Sequence, residues 1–520
     1  MGALRTAGQT LTIFDPGAYD AGKVGQLLYP TLVDGAKSST NPVTGAIYPY
    51  SRQGTFDPAS YPADGSPFSG LVQYVGDLWR TPPVQLGPRF GFAWDIFGNG
   101  KTALRGGFGI FYNRAHSVDN IGASGVGQGP QAAPPSFKAP IFLNTTIETL
   151  TSAQAIYTPQ TVVGGPLDYP AASTNHWSFG IQQDLGRSMV LEVAYVGNVA
   201  HHFFGTVLDQ NAVPPFTTWT PTDGPNPKFF DPTSSNGGKG AFYSANIIRS
   251  MVGYRGLSSI PSFTYKGNGN YNALQAQLNK RMSRSLQFGV NYTWSKTITY
   301  SPQQWVDDQL TKNVTNRPHA VNANFGYSLP SGSRFWRNAV TERVLDGWRL
   351  NGIGTFYYGN PMTIGCSATA APIGYWTGTP TGGIPFRCQM AGGLWLPSGP
   401  APPSSTDARL WYPFDKDSFV LPPATSRGVG TTPPTLLYGP GVANLDLALG
   451  KEFRVGGSET RILELKVETF NTFNHFNPSN PNTSLTLNFN TGANTNAAFA
   501  TISSAQIGAR RAILSLRFRF

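Results

Sequence analysis

The chain ends in Arg510-Arg511-Ala512-Ile513-Leu514-Ser515-Leu516-Arg517-Phe518-Arg519-Phe520 (RRAILSLRFRF), and the reading of the whole sequence turns on this stretch. Successive side chains of a β-strand point to opposite faces. Ala512, Leu514, Leu516, Phe518 and Phe520 therefore share one face, while Arg511, Ser515, Arg517 and Arg519 share the other. Soluble strands also alternate, but here the apolar series runs to the final residue and ends on an aromatic ring.

That ending resembles the closing strand of a bacterial outer-membrane β-barrel, in which Phe518 and Phe520 would serve as the C-terminal assembly signal read by the barrel-assembly machinery. Composition agrees. Of 520 residues, 40% are hydrophobic, 13% aromatic and only 12% charged, and 60 Gly with 43 Pro demand many turns. No run of about 18 apolar residues offers a transmembrane helix. A chain can still cross a bilayer when a closed sheet pairs every backbone group, and its strands then alternate over about 9 to 11 residues. The net charge of +11 is not gathered into a Lys/Arg cluster or joined to a zinc or aromatic RNA-binding motif, so nucleic acid is not an expected partner. The opening MGALRTAGQT lacks the apolar core and cleavage site of a secretory signal.

Working back from the C-terminus, alternation bounded by turn residues predicts about eleven strands. Phe90, Phe92 and Trp94 share a face, and the Asn99-Gly100 turn signal leads to Leu104, Phe108, Ile110 and Tyr112. Trp177, Phe179 and Ile181 turn at Gly186-Arg187 into Met189, Leu191, Val193 and Tyr195. Leu274, Ala276 and Leu278 turn at Ser283-Arg284 into Leu286, Phe288, Val290, Tyr292 and Trp294. Val321, Ala323, Phe325, Tyr327 and Leu329 precede Trp348, Leu350, Phe356 and Tyr358. Leu445, Leu447 and Leu449 turn at Gly456-Gly457 into Leu463, Leu465 and Val467, and the terminal strand completes the series. The opposite faces carry Arg105, Glu192, Gln287, Asn291, Arg349, Asn351, Glu464, Lys466, Glu468, Arg511, Arg517 and Arg519, the candidates for a wet lumen.

Connections alternate between short ones (96–101, 186–188, 282–285, 330–345, 454–459) and long Gly/Pro/Ser-rich ones (113–174, 202–270, 297–318, 359–441, 474–509), as periplasmic turns and extracellular loops do. A soluble sandwich or propeller has no such parity. Counting back from a periplasmic C-terminus makes residues 1–88 an extracellular loop region and lead-in, with 89–520 the C-terminal portion of a barrel. The expected fold is thus all-β, an antiparallel transmembrane β-barrel represented by its C-terminal half, with long extracellular loops.

Six ordered segments carry a family resemblance: PRFGFAWDIFGNGKTALRGGFGIFYNR (Pro88 to Arg114), YNALQAQLNKRMSRSLQFGVNYTWSK (Tyr271 to Lys296), NRPHAVNANFGYSLP (Asn316 to Pro330), LDGWRLNGIGTFYYGNPMT (Leu345 to Thr363), GPGVANLDLALGKEFRV (Gly439 to Val455) and ETFNTFNHFNP (Glu468 to Pro478). Together they resemble the barrel of TonB-dependent, Oar-like outer-membrane transporters over roughly residues 75 to 520. The resemblance implies uptake of a bulky nutrient across the outer membrane, with no reaction catalysed. Full members have a signal peptide, a β-sandwich, a plug and a barrel of about 22 strands. Nothing before the second half of the barrel matches here, so plug and TonB are expected as partners only through a missing N-terminal part. The alternatives are a structural or adhesive surface protein, whose loops would carry function, and an outer-membrane hydrolase, for which His116-Asp119 is the one nearby pair.

Other motifs carry little chemistry. Gly125-Val126-Gly127-Gln128-Gly129 lacks the strand, helix and Lys-Ser/Thr of a phosphate loop, and Gly106-Gly107-Phe108-Gly109 reads as a strand needing close packing. His116, His176, His201, His202, His319 and His475 show no metal-ligand spacing, and Asp307-Asp308 offers a hard cation too few carboxylates. No cofactor, metal or catalytic residue is expected. Cys366 and Cys388 fall in one long loop, where an oxidising exterior would join them.

Overall fold

The computed structural model describes residues 11–62, 67–74, 84–113, 157–164, 170–203, 207–214, 217–220, 224–234, 242–263, 265–283, 285–300, 312–334, 339–369, 387–391, 418–422, 430–455, 461–488 and 490–520. Eleven long strands follow one another as an antiparallel meander: β1 (Arg89–Asp95), β2 (Thr102–Tyr112), β3 (Ser173–Gly186), β4 (Met189–Phe203), β5 (Gly267–Ser283), β6 (Leu286–Tyr300), β7 (His319–Ser328), β8 (Trp348–Tyr357), β9 (Val442–Arg454), β10 (Ile462–Phe470) and β11 (Arg511–Arg519). Each pairs with its neighbours in sequence, and a short strand, Lys312–Val314, folds back on the end of β6. Among the described residues β1 and β11 each pair on one side alone, so the sheet is open.

Local chemistry explains the tight connections. Between β3 and β4 the two loop residues Arg187 and Ser188 have φ of 51° and 63°, the primed turn whose twist suits a hairpin. After β1, positive φ at Gly98 and Gly100 turns the chain, and Asp95 Oδ2 accepts from Gly100 N at 2.6 Å. The connection from β7 to β8, expected as another short turn, carries a 3-10 turn and a helix, α2 (Ala339–Leu345). The earlier helix α1 (Ala245–Val252) lies in the connection between β4 and β5.

Register carries one face through the whole sheet. Phe92, Gly106, Phe179, Tyr195, Leu274 and Trp294 stand opposite one another in turn across β1 to β6. Val290, Ala323, Gly354, Leu445 continue it from β6 to β9, and Leu449, Val467, Leu514 carry it to β11. Two glycines on this face are needed by neighbouring rings: a Cβ at Gly106 would collide with Phe92, and one at Gly352 with Phe325.

Burial is inverted relative to a soluble protein. Leu514 is 71% exposed and Leu516 67%, whereas most of the buried apolar side chains lie in the long connections. One core joins Phe14, Leu27, Phe56, Leu257 and Ile260, drawn from the N-terminal segment and from the β4–β5 connection, with Val162 added from the β2–β3 connection. Asn211 fastens it, its Nδ2 donating to the carbonyls of Tyr254, Leu257 and Ser258 while its Oδ1 accepts from Tyr254 N. The buried Arg249 guanidinium lies 3.3 Å from Asp209 and donates to Asn211 O. A second core joins Met362, Ile364, Phe419, Leu437, Leu485 and Phe499 from the β8–β9 and β10–β11 connections. There Gly365–Thr369 pairs in parallel with Ser484–Asn488, and Cys366 Sγ is bonded to Cys388 Sγ at the centre. Both bodies sit at the long-connection end of the sheet.

Candidate functional site

The face opposite the apolar one is the candidate site, because alternation fixes which side chains share it. Glu192, Gln277, Asn291, Asn322, Thr355 and Asn444 form one row from β4 to β9. Gln287, Gly326, Asn351, Ala448, Glu468 and Ile513 form a second from β6 to β11, and Arg349, Gly450, Lys466, Ser515 a third from β8. Arg105 belongs to the same face through Gly180 and Ala194, as do Arg511, Arg517 and Arg519 opposite Phe470, Glu464 and Ile462. All the side chains expected there from alternation thus lie on one side of the sheet.

Some of them are brought into contact and others are not. At the short-turn end, register sets Glu452 directly opposite Glu464. Like charges placed so repel. Arg519 bridges them, with Nη2 at 3.4 Å from Glu452 Oε1 and 3.0 Å from Glu464 Oε2, and Arg349 lies 3.8 Å from the same Glu452 oxygen. Lys466 Nζ donates to Glu468 Oε1 at 2.6 Å. These groups are partly exposed, so each pair contributes little to stability and the cluster acts chiefly as an arranged set of charges. Arg105, Glu192 and Gln287 lie away from this network.

Toward the long-connection end the same face holds residues that the sequence reading did not single out. The Arg89 guanidinium sits 4.6 Å from the Phe111 ring centre, and Phe111 meets His176 edge-on at 5.2 Å. Arg317 stacks at 5.1 Å over Tyr357, whose hydroxyl donates to Asn322 Oδ1 at 2.6 Å, and Arg511 lies 5.1 Å from the Phe470 ring. Each is a cation over an aromatic face, an attraction that survives partial hydration. The signal that could have found Arg89, Phe111, Tyr357, Phe470 and Glu452 was the same alternation, followed past aromatic residues that look misplaced on a polar face.

On the apolar face, Trp94, Tyr327 and Trp348 lie toward the short-turn end, and Tyr112, Trp177, Trp294 and Tyr358 toward the other. His319 stacks on Tyr292 and Trp294, and its Nδ1 is 2.9 Å from the Tyr292 hydroxyl. His201 and His202 lie with ring centres 6.3 Å apart, and among the described residues no three His, Cys, Asp or Glu gather where a metal would sit. The 125–129 glycine run, the His116-Asp119 pair and Asp307-Asp308 lie outside the described residues.

A family model described as "Outer membrane beta barrel domain" matches residues 43–513. Nothing among curated proteins matches the chain. Three solved structures show a distant likeness to the chain. The outer membrane transporter YddB from Escherichia coli is 11% identical with TM-score 0.38, over 84% of this chain and 40% of that one. The ferric-catecholate import receptor Fiu from E. coli K12 is 9% identical with TM-score 0.35, over 87% and 35% respectively. The siderophore receptor PirA from Acinetobacter baumannii is 11% identical with TM-score 0.35, over 84% and 41%. The chain therefore spans well under half the length of each of these proteins.

Proposed function

Because the chain belongs to the outer membrane beta barrel domain family, we propose that it is barrel wall of a TonB-dependent transporter that admits a bulky nutrient. Its place is the outer membrane: eleven antiparallel strands present one apolar face, and no helix among the described residues is long and apolar enough to cross. The single observation that carries the transporter reading is the opposite face. Water alone does not need Arg519 held between Glu452 and Glu464, with Arg349 and Lys466–Glu468 alongside. An arranged set of both charge signs at the short-turn, periplasmic end suits reversible contact with a plug. The ring-capped cations Arg89, Arg317 and Arg511 then face incoming substrate nearer the exterior.

An adhesive surface protein is the second reading, favoured by the two packed bodies at the long-connection end. Deleting the gene in its host, in strains with and without a working TonB, separates the two. The transporter reading expects a TonB-dependent loss of uptake of at least one member of a panel of ferric chelates, cobalamin, oligosaccharides and peptides. Unchanged uptake of the whole panel, together with reduced attachment to surfaces, would overturn it.

A further inference from the structure

The described residues on the two sides of the connection between β7 and β8 close on each other at its base. Leu329 N donates to Trp348 O at 2.9 Å, and Asp346 accepts from Ser333 N at 3.0 Å and from Ser333 Oγ. Those hydrogen bonds from Ser333 hold the Asp346 carboxyl below the usual carboxylate range. Leu345 packs over Gly332, leaving no room there for a Cβ. Helix α2 hangs from this closed base.

Two side chains of the apolar face fasten the C-terminal end of α2. Trp348 Nε1 donates to Val344 O at 2.9 Å, and Lys451 Nζ donates to Val344 O at 3.0 Å and also to Asp346 O. Trp348 and Lys451 are register partners, on the same face as Leu350 and Leu449. The helix is therefore tied to the lipid side of the wall and not to its lumen. Phe453, two residues nearer the short-turn end on that face, lies beneath the Lys451 ammonium at 5.0 Å from its ring centre. The point of attachment thus falls within the apolar band, not beyond it. Yet α2 keeps Val340 69% exposed, Val344 52% and Leu345 38%, with Glu342 and Arg343 also at the surface. Val340 and Val344 are four apart and so share a face of the helix.

We propose that α2 is an interfacial foot: Val340, Val344 and Leu345 lie in the phospholipid monolayer that borders the short-turn end of the barrel. The occupant is lipid and not protein because the helix surface continues the apolar band that already faces acyl chains. A short helix with one apolar side, bordered by charged residues, seats at the boundary between headgroups and chains. Lys451 resolves the cost of a cation on the lipid face, since two carbonyls, one from α2 and one just beyond it, and two aromatic rings surround its ammonium. The proposal rests on membrane placement and holds whether or not the barrel transports.

The test places a single environment-sensitive fluorophore on the full-length gene product in vesicles of phosphatidylethanolamine and phosphatidylglycerol. One variant is Val340→Cys; the control is Asn99→Cys, in the exposed turn between β1 and β2. Emission from position 340 should shift to the blue and be lost with nitroxide-bearing lipids, while position 99 should respond only to aqueous iodide. Iodide quenching at 340 equal to that at 99 would overturn the proposal. So would protection from both quenchers, which would mean a protein partner. If Val340→Cys fails to assemble, Val344→Cys carries the label and the same outcomes decide.

Discussion

An arginine placed one residue to either side of the wall provides the sharpest test of the two-faced sheet. Val290 lies on β6 between Leu278 of β5 and Ala323 of β7, and Asn291 lies between Gln277 and Asn322. Val290 is four residues from Leu286, where β6 leaves its turn, or about 13 Å along the strand at roughly 3.3 Å per residue. With a tilt of about 40° it stands about 10 Å above the level of Leu286, inside an apolar band about 25 Å tall. An arginine on the lipid face costs about 2 to 4 kcal/mol at the midplane and less toward the edge, so Val290→Arg should cost about 2 to 3 kcal/mol. That is roughly 30- to 150-fold in the assembled fraction. Asn291→Arg faces polar neighbours and should cost under about 1 kcal/mol. The assay is the amount of folded protein in isolated outer membranes, read by heat-modifiable mobility on gels, followed by urea titration of the purified protein in vesicles. Equal assembly and equal urea midpoints for the two variants would refute the face assignment and the barrel with it.

Three further outcomes follow from particular contacts. Thiol labelling of the denatured, unreduced protein should find no free cysteine, and Cys388→Ser should open the second loop core to protease, the crosslink closing a loop worth roughly 3 kcal/mol by the chain-entropy model. Arg519→Gln leaves Glu452 and Glu464 opposed without their bridge, and should lower the urea midpoint by an amount worth under about 1 kcal/mol because the groups are partly exposed; adding Glu452→Gln should restore it, and a lack of rescue would show that the bridge is not the cause. Burial pushes the Asp57 carboxyl up, but hydrogen bonds from Tyr48, Asn41 and the Ala59 amide outweigh it and hold it below its ordinary 3.8. A carboxyl depressed in the folded state adds stability that is full above 3.8 and fades as pH falls below it, so protease resistance of residues 11–62 should fail in acid and Asp57→Asn should flatten that dependence.

How far the sequence reached can be argued strand by strand. Alternation over Leu286 to Trp294 and over Ala512 to Phe520 requires only a local chain and an apolar medium on one side, so the faces of β6 and β11 were legible before any pairing was known. The turn chemistry at Asn99-Gly100 and at Gly186-Arg187 is equally local, and each turn closes its own hairpin of the meander. The partners on the polar face were not legible. Whether Arg519 meets Glu452 depends on register across two intervening strand pairings, a tertiary quantity, and so does the stacking of Arg89 on Phe111.

The long connections show the limit most clearly. Phe14, Val162 and Ile260 are separated by whole strands, and no pattern near any one of them says that they share a core; Gly/Pro-rich composition reads as loop because its hydrophobic residues lack a period. Helix α2 was likewise hidden, being too short for a helical period to stand out, and it is held by Trp348 and Lys451 from two different strands. By itself the sequence determined the class, a series of about eleven strands and, within each strand it marked, which residues share a face, because alternation is written in nearest neighbours. Tertiary structure decided which charges meet, which loops become bodies and where α2 rests, because those depend on register and on contacts between segments far apart in the chain.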